Sequence, residues 1–137
     1  MPTVLHPPTP TPANPHPLTL TVTLPATPSS AGIARSAASA ALHRYGLGRF
    51  TPVTVLAVTE LAACAARTVP GTNMRIELAQ YEGGLRITSL NTHPMSGTGR
   101  GGLWLLSTAV EDWGGNWGVL HTHSPTTRSL TWIDLPH

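Results

Sequence analysis

The 137-residue chain is long enough for one domain, and its apolar fraction of 40 % is sufficient for a single hydrophobic core. Its eight basic residues are all Arg and are scattered from Arg35 to Arg128, so the net charge of +2 forms no basic patch that predicts nucleic-acid binding. A single cysteine, Cys64, excludes an internal disulfide, and we expect neither a membrane span nor a secretory leader, which indicates a cytoplasmic protein.

The first elements follow a proline-rich segment. Residues 1–17 contain seven prolines and are predicted to be a disordered tail, either simply solvated or a docking segment for a proline-binding groove. The domain is then expected over residues 18–137. Apolar residues and threonine alternate without a break from Leu18 to Leu24, which predicts a half-buried strand. A helix with Ser29 or Ser30 as its N-cap follows and ends at Gly46.

The remaining pattern completes an α/β domain. A second helix is expected from an N-cap at Thr51 to about Thr68, and a turn at Glu82-Gly83-Gly84 predicts a hairpin. The other expected elements are strands at 74–81 and 85–90, a glycine-bearing loop at 91–101, a helix at 102–113, and strands at 119–122 and 130–133 around a turn near Pro125. This order predicts a two-layer α/β sandwich, with a mixed, mostly antiparallel sheet covered on one face by three helices.

Two segments carry residues of chemical interest. On the second helix, Glu60, Cys64 and Thr68 follow each other at intervals of four, so they share one face. Glu60 fits either a general base in a cleft or an exposed surface residue. The second segment contains Gly99, Arg100, Gly101 and Gly102 and leads directly into an apolar helix. Glycines permit close approach of the backbone to a phosphate, and a helix N-terminus offers free amide groups.

These segments, in this order, resemble the histidine-kinase-like ATPase superfamily, and most of all its small anti-sigma-factor serine kinases. The resemblance spans roughly residues 18–136. Val58-Thr59-Glu60-Leu61 is similar to the start of the N-box of that family, and Leu85-Arg86-Ile87 followed by Asn91 is similar to the strand that enters its adenine site. The Gly99–Leu106 segment is similar to its second glycine box. The resemblance implies an ATP site formed by Glu60 as base, with Cys64, Asn91, Gly99, Arg100, Gly101 and Gly102 binding the cofactor.

Three departures from the family pattern predict an eroded nucleotide site. Cys64 stands where the family has an Asn that ligates Mg²⁺, and a thiol is a poor ligand for this hard cation. Asn91 stands where the family has an adenine-reading Asp, so the charge-assisted part of that hydrogen bond is lost. Only seven residues separate Asn91 from Gly99, which is short for a lid over the phosphates. We therefore expect weakened ATP binding, weak or no Mg²⁺ binding and no other metal site.

Three functional hypotheses follow from the resemblance and its departures. The first is a regulatory module that binds a protein partner without kinase chemistry; the resemblance suggests a sigma factor, an antagonist or a transcription regulator. The second is a working ATP-binding protein or serine kinase of the anti-sigma-factor type. The third is a structural protein with a filled pocket. Homodimerisation through the first strand and helix is compatible with the resemblance, and neither a nucleic acid nor a membrane is expected as a partner.

Overall fold

A computed structural model of the chain describes residues 16–91, 103–122 and 129–137. Residues 1–15 of the predicted tail at 1–17, residues 92–101 of the predicted loop at 91–101, and the turn near Pro125 lie outside these ranges. The described elements are β1 (Thr19–Pro25), α1 (Ser30–Arg44), a short 3₁₀ turn (Gly48–Phe50), α2 (Thr51–Thr68), β2 (Asn73–Tyr81), β3 (Gly84–Asn91), α3 (Trp104–Trp113), β4 (Asn116–His121) and β5 (Ser129–Pro136).

The five strands form one sheet in the order β1-β2-β3-β5-β4. Every described pairing is antiparallel, including the pairing of β3 with β5, which are separated in the chain by α3 and β4. The predicted two-layer sandwich is confirmed, and its sheet is more uniformly antiparallel than expected. More buried and more exposed side chains alternate along β1 and along the β2–β3 hairpin. This follows from their period-two sequences, because successive side chains point to opposite faces of a sheet.

The three helices lie on one face of the sheet. α1 contacts β1 and α2, α2 contacts β2 and β3, and α3 contacts α2, β4 and β5. The core lies between this layer and the inner face of the strands. Its largest fully buried side chains are Leu18, Leu42, Phe50, Leu61, Met74, Leu78, Leu85, Ile87, Leu103, Leu106 and Ile133.

The C-terminal end of α3 is fixed against the end of β5. The indole Nε1 of Trp113 donates a hydrogen bond of 2.7 Å to the carbonyl oxygen of Pro136. The ring of Phe50 lies with its centroid 5.2 Å from that of Trp113, and the guanidinium of Arg49 lies over both rings. Gly114 then ends the helix with a φ of 91°, a conformation that glycine adopts without steric cost. These contacts hold the C-terminal end of α3 against the end of β5.

The predicted helix starts need correction. Neither Ser29, which occupies the N-cap position of α1, nor Ser30 caps that helix with its hydroxyl; the Ser30 hydroxyl donates instead to the carbonyl of Pro25. Phe50, not Thr51, occupies the N-cap position of α2, because the 3₁₀ turn before it continues directly into the helix. Pro52 lies in the first turn of α2, where the missing backbone N–H of proline costs no helical hydrogen bond.

Among the described helices, the stretch Gly48–Thr68 is long and apolar enough to cross a membrane, judged by length and composition alone. Its mean hydropathy is 1.3. Half of the most apolar 18-residue window in this stretch is buried inside the domain, where α2 contacts α1, α3 and the sheet. We interpret α2 as the core helix of the sandwich.

Candidate functional site

Glu60 lies on α2 at the border between its buried and its exposed faces. The residue is partly exposed, while its neighbour Leu61 is fully buried. Its carboxylate makes no ion pair or hydrogen bond within the described part of the chain. An unengaged carboxylate at the edge of a helix can accept a proton from a group brought to it, so Glu60 keeps the chemistry of a candidate base.

Cys64 lies one turn further along α2 and is completely buried. Burial raises the pKa of its thiol, an effect that the Glu60 carboxylate reinforces and that Arg67 and the Thr68 hydroxyl oppose. The Thr68 hydroxyl donates 2.8 Å to the backbone carbonyl of Cys64, so it is turned back onto the helix. A neutral, buried thiol is a small hydrophobic core residue, and it does not suit a hard cation such as Mg²⁺.

Within residues 16–91, 103–122 and 129–137, no three His, Cys, Asp or Glu side chains lie close enough together to hold a metal ion. The donor set at Glu60 and Cys64, a single carboxylate followed by a protonated thiol, therefore does not fit a Mg²⁺ ion.

Asn91 is the last residue of β3 and is fully buried on its helix-facing side. Neither its side-chain oxygen Oδ1 nor its side-chain nitrogen Nδ2 has a hydrogen-bond partner among the described residues. Asn91 lies directly opposite Ser129 of β5 in the antiparallel ladder. Since buried amides nearly always make hydrogen bonds in folded proteins, this side chain needs an explanation.

Asn91 belongs to a group of four polar residues that we call the polar quartet: Ser89 and Asn91 of β3, and Ser129 and Thr131 of β5. In the ladder, Ser89 lies opposite Thr131 and Asn91 opposite Ser129. All four are fully buried, and none of their side-chain oxygen or nitrogen atoms has a hydrogen-bond partner among the described residues. The hydroxyl of Thr54, at the start of α2, is the one other buried side-chain group of this kind in the described ranges.

The quartet interrupts an otherwise apolar strand pair. On the inner face, Leu85 lies opposite Leu135 and Ile87 opposite Ile133, and the next two rungs are both polar. A buried donor or acceptor without a partner costs about 1–3 kcal/mol, so five such atoms on two adjacent rungs destabilise the folded domain. A bound ligand or water could satisfy them, and this makes the quartet the strongest candidate site in the described structure.

Of the four quartet residues, the sequence analysis singled out only Asn91, as a residue of the nucleotide site that the resemblance implies. A signal was present, because Ser89 is two residues before Asn91 and both continue the inward series of Leu85 and Ile87. On β5, the strand was expected only over 130–133, so Ser129 fell outside it and its partner strand was unknown. The register between β3 and β5 is the information that the sequence lacked.

The predicted glycine box precedes α3 in the chain. Gly99, Arg100, Gly101 and Gly102 lie outside the described residues. The description resumes at Leu103, which is buried at the N-terminus of α3, and Trp104 and Leu105 follow with exposed fractions of 65 % and 46 %. The structure thus brings Cys64 and the quartet into the layer between the helices and the sheet, with Glu60 at the edge of that layer.

Comparison with known proteins adds no assignment. Neither a family model nor a curated protein matches this sequence.

Proposed function

We propose that this chain is a cytoplasmic regulatory protein with a histidine-kinase-like ATP-binding domain that acts by binding a protein partner. In this proposal it keeps a weak, metal-independent recognition of a nucleotide and has lost phosphate transfer. The observation that carries it is Cys64: a fully buried thiol with a raised pKa occupies the position at which the family has its Mg²⁺ ligand.

The loss of the metal bears directly on catalysis. Phosphoryl transfer depends on positioning and on cations that neutralise the charge developing on the phosphate. Glu60 is available as a base, but a base alone supplies neither of these contributions. The same resemblance that suggests a kinase therefore favours a protein that has kept the fold and changed the task, a common outcome for widely used folds.

An exposed apolar pair supports the role of a protein partner. Trp104 and Leu105 occupy the first turn of α3 and are largely exposed. Tryptophan is enriched among the residues that dominate the energy of protein interfaces. A partner that covered this pair would contact α3, the helix that packs against β5. Two residues of the quartet lie on β5. By resemblance, the partner is a sigma factor, its antagonist or a transcription regulator.

A second candidate function is an active ATP-binding protein or serine kinase of the anti-sigma-factor type. The accessible carboxylate of Glu60 favours it, together with the unsatisfied polar groups of the quartet. The two candidates differ in the dependence on Mg²⁺, since the kinase needs the ion and the proposed regulator does not.

Calorimetric titration of the purified protein with ATP, in EDTA and in excess Mg²⁺, tests the proposal. We expect a Kd of about 0.1–1 mM that Mg²⁺ changes by less than about threefold. The matched variant Cys64→Asn supplies an amide oxygen at the same position, and a melting curve checks its fold. An increase in affinity of about tenfold or more with Mg²⁺ in the wild type would favour the kinase. No heat of binding at millimolar ATP would remove the nucleotide from the proposal.

A further inference from the structure

A groove of about 870 Å³ lies between α1 and α2, and we call it the α1–α2 groove. Its volume is within the range of small-molecule sites in proteins, about 300–1,000 Å³. Glu60, Cys64 and the polar quartet do not line it, so it is separate from the residues discussed above. The groove is lined by Arg35, Ser36, Ser39, Ala40 and His43 of α1, Gly48 of the 3₁₀ turn, and Thr51 and Val55 of α2.

The α1–α2 groove is basic. Arg35 and His43 line it, and none of the Asp and Glu residues in the described part of the chain does. The sequence of α1 contains no acidic residue, so neither side chain has a carboxylate neighbour on its own helix. Neither makes an ion pair within the described residues. Basic side chains without a counter-ion in a concave surface attract an anionic ligand.

Three hydroxyl groups add hydrogen-bond donors to the groove. The hydroxyls of Ser36, Ser39 and Thr51 make no hydrogen bond within the described residues. Helical hydroxyls often bond to the carbonyl four residues earlier, and those of Thr59 and Thr108 do so at 2.7 Å and 3.0 Å. The hydroxyls in the groove are not turned back in this way, so they can donate to the oxygen atoms of a ligand.

The spacing of the two basic residues sets the shape of the ligand. Arg35 and His43 are eight residues apart on α1, which places their Cα atoms about 12 Å apart along the helix axis. A single carboxylate or phosphate group is too small to bridge this distance. Ala40 lies between them on α1, and Val55 lines the groove from α2. The middle of the groove therefore offers apolar contacts to a ligand whose ends are charged.

We infer that the α1–α2 groove binds elongated small organic molecules with an anionic group, carboxylate or phosphate, at each end. One anionic group pairs with the Arg35 guanidinium, which accommodates the two oxygen atoms of such a group with parallel hydrogen bonds. The other accepts a hydrogen bond from the His43 imidazole at the opposite end. The apolar body of the ligand contacts Ala40 and Val55. This site is independent of the nucleotide recognition in the proposed function.

Four probes test this inference by titration of the isotope-labelled full-length protein, with the backbone amide signals followed by NMR. Octanedioate carries a carboxylate at each end, and octane-1,8-diyl bisphosphate carries a phosphate at each end. Octanoate has one charged end, and butanedioate has two that are too close together to reach both basic residues. We expect the better of the two long dianions to bind with a Kd of about 1 mM. It should bind at least about fivefold more tightly than octanoate and butanedioate.

The substitution Arg35→Gln removes the cation at one end of the groove. Its side chain is exposed, so the fold should be kept, and a melting curve checks this. We expect the affinity for the better long dianion to fall by about fivefold or more, to the level of octanoate. Arg44→Gln is the matched control, because it removes the same charge from an exposed position of α1 that does not line the groove. It should change the affinity by less than about twofold.

Three outcomes would overturn the inference. Equal affinities for octanoate and for both long dianions would show that only one end of the ligand is recognised. Equal losses for Arg35→Gln and Arg44→Gln would show that net charge, and not contact in the groove, attracts the probes. The third is the absence of any probe-dependent shift of the α1 and α2 amide signals at about 10 mM. These measurements use no nucleotide, so their failure would leave the proposed function standing, and failure of ATP to bind would leave this inference standing.

Discussion

At the scale of single residues, Cys64 shows how one substitution changes the character of a site. Its thiol is fully buried, and burial is the largest cause of its raised pKa. The neutral form is therefore favoured in the folded state relative to the unfolded state. The folded protein binds the thiol proton more strongly than the unfolded chain does, so stability falls as the pH rises through the interval between the two pKa values.

The pH dependence of unfolding measures this effect. An unfolded cysteine has a pKa of about 8.5. Well below this pH the thiol is protonated in both states, so Cys64 adds no pH dependence to the unfolding free energy. Above it, the wild type should lose up to about 1.4 kcal/mol of unfolding free energy per pH unit until the folded pKa is reached. Urea unfolding between pH 7 and pH 10 gives the slope, and Cys64→Ala is the control, because it retains every other titrating group. Equal slopes for the two proteins would show that the thiol is not buried.

At the scale of elements, the turn between β2 and β3 brings the start of β3 close to the end of β5. Gly84, the first residue of β3, has a φ of 156°, and a Cβ built on it would lie 2.0 Å from the carbonyl oxygen of Leu135. Glycine is required here because of both the backbone conformation and the neighbouring strand. The close approach starts the β3–β5 ladder, whose far end carries the polar quartet.

Substitution at this glycine should disturb the ladder. We expect Gly84→Ala to lower the unfolding free energy by about 2–4 kcal/mol, because the methyl group meets backbone that cannot move aside. Gly48→Ala is the matched control: a Cβ there meets no atom within 4 Å, and the expected change is within about 0.5 kcal/mol. Urea denaturation of the two variants and the wild type checks this. Similar losses at both positions would mean that β3 and β5 do not approach as described.

Elements that depend on local sequence could be predicted, whereas pairing between distant segments could not. The period-two pattern of β1 and the turn at Glu82-Gly83-Gly84 each identified elements within a few residues. The N-cap of α2 was misplaced by one residue because the preceding turn extends the helix, which local preferences do not reveal. Three members of the quartet were missed, because their shared face exists only once β5 pairs with β3.

At the scale of the whole molecule, β1 forms one edge of the sheet and its start is well anchored. The amide of Leu18 donates 2.9 Å to the side-chain oxygen of Gln80, and the amide of Gln80 donates 2.9 Å to the carbonyl of Leu18. The side chain of Leu18 is 1 % exposed. These two hydrogen bonds and the burial of the side chain fix Leu18 against the end of β2.

Two truncations test the predicted domain boundary at Leu18. Removal of residues 1–17 should leave the melting temperature within about 2 °C, because this proline-rich segment has little to contribute to a packed core. Removal of residues 1–20 also deletes Leu18 and its hydrogen bonds. This longer truncation should lower the melting temperature by about 10 °C or more. Thermal unfolding followed by circular dichroism compares both with the intact chain. A large drop for the shorter truncation would show that the proline-rich segment stabilises the domain.

The position of β5 between β3 and the edge strand β4 has a consequence for the order in which the sheet forms. β2 and β3 are a local hairpin, and β4 and β5 are neighbours in the chain, but the β3–β5 seam joins segments that are far apart. Contacts of this kind form late in folding, because a long loop must close first. β4 is attached to the sheet only through β5, so opening of the seam releases both strands together. Because the quartet spans the seam, a ligand bound there would slow the exchange of amide hydrogens across β4 and β5 as one unit.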